Sequence, residues 1–92
     1  MTGTIADVGG YKRMTVTANV SPIPASLFGV LCASTTAGTI QFYDDPATGT
    51  STPITGVITP AAGAYVFIKA SASKGIYAVI GGTLDCTVIW AP

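Results

Sequence analysis

The chain has 92 residues, 49 % of them hydrophobic, and its only charges are Asp7, Asp44, Asp45 and Asp85 against Lys12, Arg13, Lys69 and Lys74, with no Glu and no His. Such apolar content excludes a disordered chain, so few cations exclude a broad basic face for nucleic acid, and the absence of His removes every Ser-His or Cys-His nucleophile pair. The composition therefore points to one thin-cored, neutral domain that works by association: no enzyme, no cofactor, no nucleic-acid partner.

Residues 1–13 differ from the rest in being small and Gly-rich while carrying Asp7, Lys12 and Arg13. They read as an N-terminal arm ahead of a domain over residues 14–92. Such an arm is either a frayed terminus or a segment that orders against a neighbouring subunit. In the second case Ile5, Val8 and Tyr11 are the anchors, and Lys12 and Arg13 meet acidic groups on the partner. The start lacks an apolar segment of the secretory kind, and every uncharged stretch is interrupted before about 18 apolar residues, so neither export nor a membrane span is expected.

Helical periodicity is missing and β-branched residues dominate, so the elements are read as strands. Met14 to Val20 alternates apolar and polar residues until Pro22 and Pro24 stop it. Ser26 to Ala33 (SLFGVLCA) is apolar on both faces and reads as a central strand. Gly38 to Tyr43 alternates again. The run DDPATGTSTP, Asp44 to Pro53, is an exposed turn-rich loop, and its two adjacent aspartates are either turn formers or an incomplete oxygen site for calcium.

Strands over Ile54–Thr59 and Ala64–Ala70 follow, separated by PAAG. The closing stretch, GIYAVIGGTLDCTVIWAP, reads as a hairpin in which Gly75 to Ile80 and Leu84 to Trp90 flank a Gly81–Gly82 turn. On the last strand Leu84, Cys86, Val88 and Trp90 share the core face, and Asp85, Thr87 and Ile89 share the other. Because that second face is not fully polar, Ile89 and its neighbours are expected to be covered by a second sheet or subunit, which places Ile89 and Trp90 with the arm residues as interface candidates. Cys32 and Cys86 read as buried reduced thiols. Tyr43, Tyr65, Tyr77 and Trp90 are either core aromatics or a platform for sugars.

Seven short strands at spacings of about ten residues fit an all-β sandwich, jelly-roll or immunoglobulin-like. The stretches LFGVLCASTTAGTIQFYDDPATGT, ITPAAGAYVFI and KGIYAVIGGTLDCTVIW, together covering most of residues 27–90, resemble small virion proteins of tailed bacteriophages, of the kind that decorate and cement capsids. That resemblance implies a homo-oligomer, a trimer by preference, made in the host cytoplasm and bound to the major capsid protein on the capsid surface. The same resemblance admits an alternative, a tail or fibre component that binds host-surface carbohydrate.

Overall fold

A computed structural model of the chain describes residues 10–92. Within them lie five strands: β1 (Gly10–Met14), β2 (Ala18–Ser21), β3 (Ala25–Tyr43), β4 (Tyr65–Ala72) and β5 (Ile76–Ala91). All pairings are antiparallel and all five strands belong to one sheet, in the order β1-β5-β3-β4, with β2 also pairing with β5. The all-β expectation holds, and the count of seven strands becomes five.

The difference arises from the two long strands. The stretches expected as separate strands at 26–33 and 38–43 are one strand, β3, and the expected closing hairpin is one strand as well, β5. These two run side by side from Ser26↔Ala91 to Tyr43↔Tyr77. Gly81 and Gly82 therefore do not reverse the chain. Gly82 has φ 66°, and opposite it β3 spends two residues, Ala37 (φ 53°) and Gly38, between Thr36↔Thr83 and Thr39↔Gly81. A Cβ on Gly82 would strike the Ala37 carbonyl oxygen, so the positive φ and the close approach both require glycine there. Left-handed residues that make a tight turn in one context make a bulge in another, and a bulge kinks the ribbon without ending it.

Two smaller corrections follow. The single strand expected at Met14–Val20 is broken, giving β1 and β2 on successive stretches of the same β5 edge. Ile54 to Thr59 forms no regular strand; it touches β3 through the bridge Ile40↔Ile58, and Pro53 just before it bridges to Tyr43. The arm boundary at residue 13 also moves. Gly10 to Arg13 are paired along β5, so they belong to the sheet, while Ile5 and Val8 lie outside the described residues.

The register shift between Thr36 and Thr39 divides the β3–β5 ribbon into two halves. One half joins the start of β3 and the end of β5 to β4 and β1; the other joins the end of β3 and the start of β5 to β2 and the 53–58 segment. Inward side chains of both halves enter one core: Leu27, Val30, Leu84 and Val88 from the first, Ile40, Phe42 and Ile76 from the second, all essentially without solvent contact. Full burial of each such side chain stabilises the fold by roughly 1.5–3 kcal/mol. Cys32 and Cys86 face each other across β3 and β5, both buried and free.

Candidate functional site

Antiparallel partners share a face, so the register defines the outer surface of the first half directly. One row across it reads Tyr11, Ile89, Gly29 and Phe67; the next reads Arg13, Thr87, Leu31 and Tyr65. Tyr11 is 76 % and Phe67 69 % exposed, Leu31 and Tyr65 are exposed as well, and Ile89 is half-buried between them. The result is an apolar, largely aromatic face that no other part of the described chain covers. Gly29 is the low point of this face because Tyr65 lies over it: a Cβ there would meet the Tyr65 ring 2.6 Å from its hydroxyl oxygen.

The expected interface residues separate on this framework. Tyr11 and Ile89 lie next to each other on the open face, as an interface reading requires. Arg13 lies there too, but it is already engaged: its Nε and Nη2 donate to Asp85 Oδ1 and Oδ2 at 2.9 and 2.7 Å. Those hydrogen bonds, opposed by burial and helped by the Arg13 charge, hold the Asp85 carboxyl below its ordinary range. The guanidinium thus fastens the edge strand β1 to β5 within the chain and is not a free cation for a partner.

Lys12, paired with Val88, points to the core side at the sheet edge and is half-buried. Trp90 also turns inward, packing beside the core, and its Nε1 is buried with no hydrogen-bond acceptor. Sequence reasoning missed Leu31 and Phe67. Both sit in strands that are apolar on two faces, where alternation does not say which face is core.

Both sheet edges are protected against further strand pairing. β1 carries the inward Lys12, and β4 carries Lys69 in a left-handed conformation (φ 54°) where the β3–β4 register shifts. Charge and irregularity at an edge discourage edge-to-edge growth.

The second half presents a different exterior. Asp44 accepts hydrogen bonds from the Ser73, Lys74 and Gly75 N–H groups and from the Ser73 hydroxyl at 2.8–3.3 Å. Burial works to raise its pKa, but these donors hold it below the ordinary value. Asp45 accepts from the Gly49 and Ala47 N–H groups, which lower its pKa in turn. Both carboxylates are thus occupied as turn formers, and among the described residues no group of three or more acidic, Cys or His side chains is placed to share a metal ion.

The four aromatics considered for a sugar platform do not converge. Tyr43 and Tyr77 pair on the second half at 6.2 Å between ring centroids, with the Tyr43 hydroxyl donating to Gln41 Oε1. Tyr65 lies on the first half and Trp90 faces inward.

No family model, curated protein or solved structure matches this chain.

Proposed function

We propose that this protein is a structural component of a bacteriophage virion that binds the outside of the capsid and stabilises contacts between capsomers. The observation that carries the reading is the uncovered face of Tyr11, Leu31, Tyr65, Phe67 and Ile89 on a chain of zero net charge. Solvated apolar faces of this kind on small proteins mark association sites, and aromatic side chains supply most of the binding energy where they are buried by a partner. Within this reading the kinked sheet folds its two halves over one core as a sandwich does, which turns the apolar face outward towards the major capsid protein and towards further copies in a trimer.

Cementing needs no turnover. A protein that binds the assembled shell and not its separated subunits stabilises the shell by mass action, and repeated copies act together. Low charge reduces the desolvation cost of a flat contact and forgoes electrostatic steering. Of the four aromatics weighed for the rival role, adhesion to host carbohydrate at a tail or fibre, Tyr65 is the exposed one.

Co-sedimentation with purified expanded capsids tests the proposal. Wild-type protein pellets with capsids and raises their disruption temperature, and Phe67→Ser weakens that binding by about 30-fold while leaving the melting temperature of the free protein nearly unchanged. Failure of the wild-type chain to bind capsids, or its binding to a glycan array instead, overturns it.

A further inference from the structure

Beside the apolar face, the β3–β4 pairing opens. Between Leu27↔Ala70 and Gly29↔Phe67, β3 spends one extra residue, Phe28, and β4 spends two, Ile68 and Lys69. Bulging on both strands leaves a surface cavity of about 280 Å³ lined by Ser26, Phe28, Lys69, Ala70 and Ser71. Ser26 and Ser71 are register partners one step along the sheet.

Lys69 is the unusual member. It holds φ 54°, a conformation that Gly or Asn adopts at lower cost, and a strained non-glycine residue at a cavity is where function is sought first. Among the described residues the one ion pair is Arg13 with Asp85, so the Lys69 ammonium has no carboxylate partner there. The Asp44 and Asp45 side chains accept hydrogen bonds from their own turns, and neither forms an ion pair with Lys69.

We propose that this cavity is a carboxylate-binding pocket that receives a glutamate side chain from a partner protein. Lys69 supplies the charge, the Ser26 and Ser71 hydroxyls supply neutral donors, and Phe28 with Ala70 packs the aliphatic stem. A single ammonium in a mostly apolar pocket matches one monoanion on a methylene chain. A phosphate dianion calls for more cationic donors than this pocket has. The pocket lies one row from Phe67, so a partner surface seated on the apolar face has it within reach, but the chemistry of the pocket stands apart from what that partner is.

Amide chemical-shift titration of the isotopically labelled full chain tests this without any capsid, so its outcome is independent of the virion proposal. With N-acetyl-glutamate α-amide as the probe, saturable shifts are expected at Phe28 and at Lys69 to Ser71. The neutral N-acetyl-glutamine α-amide is expected to bind about tenfold more weakly, as a lost charge-assisted hydrogen bond implies. Lys69→Gln and Lys69→Gly should each abolish the preference for the acid; the glycine variant also relieves the left-handed strain, so it keeps the test valid if the glutamine variant folds poorly. Equal response to both probes, no saturable shift in the wild-type chain, or an acid preference that survives in Lys69→Gly overturns the proposal.

Discussion

The two halves of the β3–β5 ribbon are built from the same two strands and finished in opposite ways. On the half holding Tyr43 and Tyr77, connecting segments are laced down by polar contacts. Asn19 Nδ2 donates to the Ala47 carbonyl at 3.0 Å, Gln41 Nε2 donates to the Thr55 carbonyl at 3.0 Å, and Asp44 gathers the Ser73–Gly75 turn. On the half holding Leu31 and Phe67, the outer face carries aromatic and aliphatic side chains with nothing over them. The laced half is held by its own connecting segments, and the open half leaves its apolar face in solvent.

The sharpest way to break that contrast is to unmake the laced half from within. Phe42→Ala, which empties the largest fully buried side-chain position, should lower stability by about 3–5 kcal/mol, read by denaturant unfolding. A loss well below that range means that the core of this half is not the anchor of the fold. Gly75→Ala comes next. An added Cβ would sit 2.6 Å from the Ser21 carbonyl oxygen and 2.7 Å from that of Asp45, so an overpacking cost of about 1–3 kcal/mol is expected where the loop meets β2. Phe67→Ser on the open half should stay within about 0.5 kcal/mol, and a larger loss would mean that the face is structural.

The smallest expected effect is the pH dependence. Asp44, Asp45 and Asp85 titrate below their ordinary values in the folded protein, so the stability they contribute is present above about pH 4 and is lost as pH falls through the lower folded values. Burial, with lesser effects of Cys32 and Asp85, pushes the Cys86 thiol up to about 11; that contribution is complete below its ordinary value near 9.0 and is lost as pH rises towards 11. The melting temperature should therefore be flat between about pH 4.5 and 8.5 and fall on both sides. Asp44→Asn should flatten the acid limb; an unchanged acid limb would show that the Ser73–Gly75 donors are not what holds it.

Much of the closing strand was legible from alternation alone. Leu84, Cys86 and Val88 are buried, and Asp85, Thr87 and Ile89 lie on the opposite face, because the side-chain period of a strand is two whatever it pairs with. Gly81–Gly82 was misread because glycine records that an unusual φ is allowed, and it does not record whether the chain turns back or merely bulges. Phe67 and Leu31 escaped notice for a related reason: VFI and VL runs are apolar on both faces, and only the neighbouring strand decides which face meets the core.

Composition and period, properties of each residue and its near neighbours, were enough to determine an all-β chain with few charges, no histidine and the faces of its alternating strands. Which segments fuse into β3 and β5, where Arg13 finds Asp85, and that Phe67 is left in solvent beside a bulged Lys69 were decided by pairing between residues far apart in sequence. Such pairings are selected by the fit of whole strands, whose register and bulges fix every contact along them at once, and no local pattern encodes that choice.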